Sequence, residues 1–131
     1  MQDFDSFLQR SRRDAASAFV RGNASPVVDI SAHSGQATFF DPGGGFTEGP
    51  EAINAANLKG AARFGPRSTT ELDIKDHDAS ENLAFWTGFQ EATVDTGGKM
   101  QPMKLRVTEI FRRIDGQWRM VHRHASKYEG Q

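Results

Sequence analysis

The sequence contains no cysteine, a single tyrosine, and no apolar run approaching the roughly 18 residues of a membrane span. The absence of cysteine excludes disulfide bonds and thiol chemistry. The formal net charge is -1, so the chain also lacks the basic excess typical of proteins that bind nucleic acid. Its amino-terminal segment is amphipathic, without the continuous apolar core of a secretory signal. We therefore expect a cytoplasmic protein that binds neither nucleic acid nor a membrane.

Size and composition indicate one globular domain. The 131 residues suffice to bury a hydrophobic core. Hydrophobic residues make up 37% and charged residues 25% of the chain, which is typical of a folded protein. The sequence shows no internal repeat, low-complexity tract or linker. A single domain spanning residues 1–131 is therefore expected.

The first part of the sequence has helical periodicity. Apolar side chains in residues 4–19 recur at helical spacing, while Arg10, Arg12 and Arg13 fall among the polar positions. This pattern predicts an amphipathic helix of about five turns. We expect the helix to end at Gly22, since glycine readily adopts the backbone conformation that follows a helix.

Two shorter helices are predicted next. Ser25 is expected to be an N-cap with Pro26 in the first helical position. A short apolar strand, residues 37–40, leads into the loop sequence DPGGGFTEGP. Pro50 then opens a third helix, which should end before Gly65.

The remaining sequence alternates with the period of a β-strand. Turn sequences DHDASE, DTGGK and IDGQ separate four such segments: residues 68–77, 82–95, 102–114 and 117–126. Consecutive strands joined by short turns form an antiparallel meander. Helices first and strands second predict an α+β fold.

Common cofactor motifs do not fit the sequence. The glycines of GGGFTEG have the wrong spacing for a dinucleotide site, and TGGK lacks the upstream glycine of a phosphate-binding loop. No Gly-x-Ser-x-Gly nucleophile motif occurs. We expect no cofactor.

Two histidines, His122 and His124, lie one residue apart on the last predicted strand and would point to the same side. They could share a proton or a metal ion, but a metal needs at least a third ligand. Sequence spacing brings none of the candidates nearby: His33, Asp41, His77 and Glu109. We expect no metal, and we expect both histidines to pack at a sheet surface or a subunit contact.

Their orientation depends on the last hairpin, for which two registers are open. A two-residue loop at 115–116 would place Glu109 opposite His122, as an acid–base dyad. A bulged three-residue loop at 114–116 would place Glu109 opposite Val121 instead. We favour the second register, because it collects more apolar residues on one face.

In the favoured register, Glu109 and Arg123 interrupt an otherwise apolar face and can pair with each other. That face comprises Leu105, Val107, Glu109, Phe111, Val121, Arg123 and Ala125. On the preceding strand, Leu83, Phe85, Thr87 and Phe89 alternate in the same sense. The opposite face carries Arg106, Thr108, Ile110, Arg112, Trp118, Met120, His122 and His124. Desolvation would raise the pKa of Glu109 unless Arg123 compensates. A structural salt bridge is the alternative interpretation.

This succession of elements resembles a known superfamily. The chain resembles SnoaL-like and ketosteroid-isomerase-like proteins of the nuclear transport factor two superfamily. The resemblance lies in a helix, a short helix, the segment ATFFDPGGGFTEGPEAI, a third helix, and a long curved antiparallel sheet that ends in LRVTEIFRRIDGQWRMVHRHAS. Within it, the branch containing the association domain of calcium/calmodulin-dependent kinase is the nearest likeness. The resemblance covers nearly the whole chain. It implies a cone-shaped barrel in which three amino-terminal helices close a strongly curved, mostly antiparallel sheet, with an internal pocket. It also implies a homodimer through the outer sheet face.

The resemblance also bears on the site. Isomerase and cyclase branches place a carboxylate acid–base in the cavity, and Glu109 is the candidate here. Tyr128 lies in the tail, so the oxyanion site of ketosteroid isomerases is not evident. The kinase branch implies basic residues near positions occupied here by Thr87, Glu109 and Ala125, which disfavours an anion-binding role.

Our leading hypothesis is a protein that binds a small, largely apolar molecule. As an enzyme it would be a cofactor-free isomerase, cyclase or dehydratase, with Glu109 moving a proton and Arg123 orienting it. Residues expected to shape the cavity are Phe39, Phe85, Trp86, Thr87, Phe89 and Phe111, with Asp41 and His33 at its mouth. The alternative is a non-catalytic binding or assembly module, in which Trp118, Met120, His122 and His124 form a subunit contact.

Overall fold

The computed structural model describes residues 2–130. In this part of the chain the α-helical segments are α1 (Phe4–Phe7), α2 (Arg13–Val20), α3 (Ser25–Ile30) and α4 (Pro50–Ala61). The strands are β1 (Thr38–Phe40), β2 (Phe46–Glu48), β3 (Thr69–Ala79), β4 (Leu83–Thr96), β5 (Lys99–Ile114) and β6 (Gln117–Lys127). A π-helical segment, Leu8–Arg12, joins α1 directly to α2. The amino-terminal part therefore contains three helical bodies: α1–α2, α3 and α4.

The six strands form one curled sheet in the order β2-β1-β6-β5-β4-β3. All neighbouring strands are antiparallel except β1 and β6, which run parallel. The three helical bodies pack on this sheet, and the expected α+β cone is confirmed.

Helix ends follow from local chemistry. The Asp3 side chain caps the first helix by accepting a hydrogen bond from the Ser6 amide (3.0 Å). That first helix ends before Gly22, which has a φ of 100°. The predicted capping role of Ser25 was wrong, since Ser25 is already helical and its amide donates to the side chain of Asn23 (3.1 Å).

One face of the first helix is buried along its whole length. Phe4, Leu8, Arg12, Ala16 and Val20 recur every fourth residue, and none is more than 5% exposed. The expectation that Arg12 falls among the polar positions of this helix was therefore wrong. The helix lies along the inner face of the sheet with an arginine in its buried row.

The last hairpin has a two-residue loop. Ile114 pairs with Gln117, and the loop residues Asp115 and Gly116 have φ angles of 52° and 78°. Positive φ at both central positions defines a type I′ turn, whose twist matches that of the paired strands. The predicted three-residue loop was wrong.

A β-bulge then changes the register further along the same hairpin. Strand β6 has one extra residue, Val121, between the partners of Phe111 and Ile110. Beyond the bulge, Glu109 pairs with Arg123. Neither register considered from the sequence placed these two residues opposite each other.

The bulge also reverses which β6 residues face inward. Trp118 and Met120, before the bulge, are 1% and 8% exposed and belong to the core beneath the helices. His122 and His124, after it, pack beside Phe40 instead. The predicted common face of Trp118, Met120 and the two histidines was therefore wrong.

The face assignment of β4 was also wrong. Trp86 and Gln90 are buried on the inner side of this strand. Phe85, Thr87 and Phe89 alternate with them and therefore lie on the outer side, where they are only half-buried. Both faces of β4 carry aromatic residues, so hydrophobicity alone did not distinguish them.

Candidate functional site

A cavity of about 560 Å³ lies between the helices and the inner face of the sheet. Most of its wall is apolar and is contributed by Phe19, Val20, Ile53, Phe64, Leu105 and Met120, among others. Exposed residues in the lining, including Lys59, Arg63 and Lys127, mark where the cavity meets solvent. A concave, mainly apolar space with a few polar groups is typical of a small-molecule site.

Three buried or half-buried polar side chains, Arg12, Gln90 and Arg123, line one part of this cavity. Arg123 donates a hydrogen bond from Nη2 to Oε1 of Gln90 (2.7 Å) and another from Nη1 to Oε2 of Glu109. The Arg123 side chain is 17% exposed. Among the three, the arginines supply the positive charge that a bound molecule would meet.

Glu109 lies behind these arginines and has no exposed surface. Arg12 donates from Nε to Oε1 (2.8 Å) and from Nη2 to Oε2 (2.9 Å). The indole Nε1 of Trp86 also donates to Oε1 (2.7 Å), and Arg123 to Oε2. Each carboxylate oxygen therefore accepts two hydrogen bonds, and Glu109 is not among the described residues that line the cavity.

The surroundings of Glu109 favour its ionised form. Burial alone would raise the pKa of this carboxyl group. The charges of Arg12 and Arg123, with the hydrogen bonds from Arg12 and Trp86, outweigh burial and lower the pKa to about 2. At neutral pH the group is a carboxylate with a very weak affinity for protons.

Sequence reasoning missed Arg12. The available signal was its place in the apolar row, four residues after Leu8 and four before Ala16. The π-helical turn that ends at Arg12 could not be read from the sequence. Such turns occur often at functional sites.

Other predicted site residues are distributed around the fold. Phe39 and Asp41 line the cavity, and Asp41 accepts hydrogen bonds from the amides of Gly43 (2.9 Å) and Gly45 (3.2 Å). Those bonds shape the glycine-rich loop. His33 is not among the described cavity-lining residues, and its Nε2 contacts a backbone carbonyl instead.

The aromatic candidates separate into three locations. Trp86 lies beneath the cavity as a hydrogen-bond donor to Glu109. Phe111 packs against Phe4 and Phe7 at ring-centre distances of 5.4 Å. Phe85 and Phe89 lie on the outer sheet face. Thr87 lies on that face too. The prediction that Phe85, Thr87 and Phe89 shape this cavity was therefore wrong.

His122 and His124 form part of an aromatic cluster at the sheet edge. The His122 Nδ1 lies 2.8 Å from Oγ1 of Thr38. His122 and Thr38 also line the cavity, whereas His124 is not among the described lining residues. Burial and the neighbouring His124 lower the pKa of His122, although Glu109 partly opposes the shift. Within residues 2–130, no three His, Asp or Glu side chains are arranged to hold a metal ion.

Comparison with protein families identifies a SnoaL-like domain over residues 13–128. The chain therefore belongs to the SnoaL-like domain family. Comparison with curated proteins gives no match. No helix in the described part of the chain is long and apolar enough to cross a membrane.

Solved structures of the nuclear transport factor two class share this fold. One is a proposed dehydratase of that family from Streptomyces avermitilis, with 16% identity, a TM-score of 0.78, and coverage of 96% of this chain and 99% of the other. A proposed calcium/calmodulin-dependent protein kinase II association domain from Xanthomonas campestris has 14% identity, a TM-score of 0.75, and coverage of 98% and 88%. A proposed ketosteroid isomerase from Parabacteroides distasonis has 19% identity, a TM-score of 0.71, and coverage of 98% and 90%.

Proposed function

We propose that this protein binds a small, largely apolar molecule inside the cone. The observation that carries the proposal is the cavity of about 560 Å³, whose walls are mainly apolar and include the hydrogen-bonded side chains of Gln90 and Arg123. The fold similarity to a proposed dehydratase and a proposed ketosteroid isomerase supports a small-molecule role.

Within this proposal, Glu109 is a structural counter-ion rather than the proton acceptor. Both of its oxygens are occupied by Arg12, Trp86 and Arg123, and its pKa is about 2. A general base works best when its pKa is near the operating pH. In an isomerase-type or dehydratase-type reaction, Arg123 would stabilise negative charge that develops on the bound molecule, and a group other than Glu109 would take the proton.

Filling the cavity should weaken ligand binding without disturbing the fold. Ala56 of α4 lines the cavity, whereas Ala55 on the same helix is exposed and outside the lining. We expect Ala56→Phe to weaken binding of the neutral probe N-phenyl-1-naphthylamine about tenfold or more, which corresponds to ~1.4 kcal/mol. Fluorescence titration measures the dissociation constant. Ala55→Phe is the matched control and should leave it unchanged, so equal affinities in the two variants would refute ligand binding in this cavity.

A second proposed role is self-association through the outer face of the sheet. Phe40 and Phe46 are 39% and 55% exposed, and their rings stack at a distance of 5.0 Å. Phe40 also packs against His122 and His124. Exposed aromatic clusters of this kind often mark protein interfaces.

The self-association proposal predicts a change in mass. We expect Phe46→Ser to convert a dimer to a folded monomer, because the exposed ring would be part of the contact. Light scattering measures the mass and circular dichroism verifies the fold. Leu58→Ser, at a position that is 59% exposed on α4, is the control that should remain dimeric. A wild-type monomer, or a Phe46→Ser dimer, would contradict this role.

A further inference from the structure

We infer that the cavity takes an apolar monoanion, a hydrocarbon or aromatic body with one acidic group, whose negative charge is bound by Arg123 and Arg12. The inference rests on the proposed function and adds the chemical class of the ligand. It is carried by the charge of the buried cluster, an unpaired guanidinium nitrogen and the cations at the cavity mouth.

The buried cluster has an excess of positive charge. Arg12 and Arg123 share a single counter-ion, Glu109, which leaves one net positive charge beside the cavity. Removing an uncompensated charge from water is unfavourable. A bound anion would complete the charge balance, whereas a neutral ligand would leave the excess in place.

Arg12 also retains an unused hydrogen-bond donor. Its side chain is 4% exposed, and its Nη1 is buried without a hydrogen-bond partner among the described residues. The remaining nitrogens of Arg12 are bound to Glu109. Because Arg12 lines the cavity, a small rotation of its side chain would bring Nη1 to the cavity surface, where an acidic oxygen of a bound molecule could accept a hydrogen bond from it. Guanidinium groups bind such oxygens through short, charge-assisted hydrogen bonds.

Arg123 would be stabilised by a second negative partner, besides Glu109, for a similar reason. Burial lowers the pKa of its guanidinium group, and although Glu109 counteracts this, the nearby charge of Arg12 lowers the pKa further. The partial exposure of Arg123 gives a bound molecule access to it. An anion placed between the two arginines would offset both unfavourable effects.

Most of the charged side chains around the cavity mouth are cationic. Lys59, Arg63 and Lys127 belong to the lining, and the only acidic side chain among the described lining residues is Asp41. This local excess contrasts with the formal net charge of -1 for the whole chain. A cationic entrance attracts anions and increases their rate of association.

An anion-binding role was disfavoured from the sequence because Thr87, Glu109 and Ala125 are not basic. Those three positions are not where the basic side chains of this cavity lie. The positive charge comes instead from Arg12 on the first helix and from Arg123, whose inward direction depends on the bulge in β6. The buried cluster carries a single net positive charge, and the cavity walls are mainly apolar. Both features favour a monoanion over a highly hydrated phosphate dianion.

A matched pair of probes tests the inference on the intact protein. 8-Anilinonaphthalene-1-sulfonate and N-phenyl-1-naphthylamine share one aromatic body, and only the first carries a negative charge. We expect the wild-type protein to bind the anionic probe about tenfold more tightly or better, which is the effect of one charge-assisted hydrogen bond. Fluorescence titration gives both dissociation constants. Ala56→Phe verifies that each probe occupies the cavity.

Gln90→Glu supplies an isosteric variant that cancels the charge. Its new carboxylate would lie where Oε1 of Gln90 accepts from Arg123 (2.7 Å). We expect the ratio of the two dissociation constants, about tenfold or more in the wild-type protein, to fall to about one in this variant. Gln101→Glu makes the same change at an exposed position outside the cavity lining and should retain the preference.

The possible outcomes separate the inference from the proposed function. Equal affinity of the wild-type protein for both probes would overturn the anion preference and leave cavity binding intact. Binding of neither probe, or binding that Ala56→Phe does not weaken, would overturn the proposed function and the inference together. A folded Gln90→Glu variant that keeps the full preference would also overturn the assignment to Arg123. The wild-type comparison decides the anion preference even if this variant does not fold.

Discussion

Replacing Glu109 with glutamine should lower the free energy of unfolding by about 3–5 kcal/mol, because removing one member of a buried ion pair leaves its partners uncompensated. Here the loss affects two guanidinium groups, Arg12 and Arg123, which share this carboxylate. The amide of glutamine cannot accept all four hydrogen bonds that the carboxylate accepts now. Urea denaturation monitored by circular dichroism measures the difference.

A matched substitution on the neighbouring strand provides the control. Glu91 is exposed, and its Oε1 lies 3.7 Å from Nζ of Lys104, so the two residues form a surface ion pair. Glu91→Gln should change the free energy of unfolding by no more than about 0.5 kcal/mol. If Glu109→Gln had an effect equally small, the description of Glu109 as the shared counter-ion would be incorrect.

The same stability loss complicates any activity assay. A Glu109→Gln variant that loses turnover has lost the support of both cavity arginines as well as a carboxylate. Loss of activity in this variant would therefore not identify Glu109 as a proton acceptor. Variants at the cavity surface, such as Ala56→Phe and Gln90→Glu, test binding without removing the counter-ion.

Acid should remove most of the stabilisation that Glu109 provides. Its pKa is about 2 in the folded protein, compared with a reference value of 4.5. A pKa lowered by folding stabilises the native state above the unfolded value and loses that effect as the pH falls through the folded value. The difference amounts to ~3 kcal/mol, present above about pH 5 and lost progressively between about pH 4.5 and pH 2.

Comparing two proteins isolates this effect from the other carboxyl groups. The free energy of unfolding of the wild-type protein and of Glu109→Gln should be measured from pH 6 to pH 2.5. We expect their difference to be constant near neutral pH and to shrink in acid, since only the wild-type protein can protonate position 109. A difference that stays constant down to pH 2.5, or grows in acid, would contradict the lowered pKa.

Much of the fold was accessible from local patterns. The alternating segments gave the four long strands to within a few residues, because side-chain alternation and turn residues are local properties. Gly49 and Pro50 also gave the start of α4 correctly. These features depend on neighbours in sequence, which the amino-acid pattern records directly.

The register of the strands, and the side of the sheet on which each side chain lies, could not be predicted from local sequence in the same way. The bulge at Val121 has no distinctive local sequence, yet it determines that Arg123 faces Glu109. The aromatic residues on both sides of β4 made Phe85 and Trp86 equally plausible as inner residues. Which side is buried depends on where the helices pack, and that is a tertiary property.

The site was partly predictable for a related reason. The pairing of Glu109 with Arg123 was expected, although by a register that proved wrong. Arg12 completes the cluster from 97 residues away in sequence, which no strand pattern could indicate. It changes the expected chemistry, because a second guanidinium group further lowers the pKa of Glu109 and favours its carboxylate form.

Measuring the pKa of Glu109 tests most directly whether this carboxylate is the counter-ion of Arg12 and Arg123. Carbon-13 labelling of glutamate allows the side-chain carboxyl resonance of Glu109 to be followed by NMR during a pH titration of the folded protein. The structure predicts a midpoint of about 2, so that the resonance remains that of a carboxylate through neutral and mildly acidic pH. A midpoint at or above the reference value of 4.5 would show that Arg12 and Arg123 do not hold this group as their counter-ion.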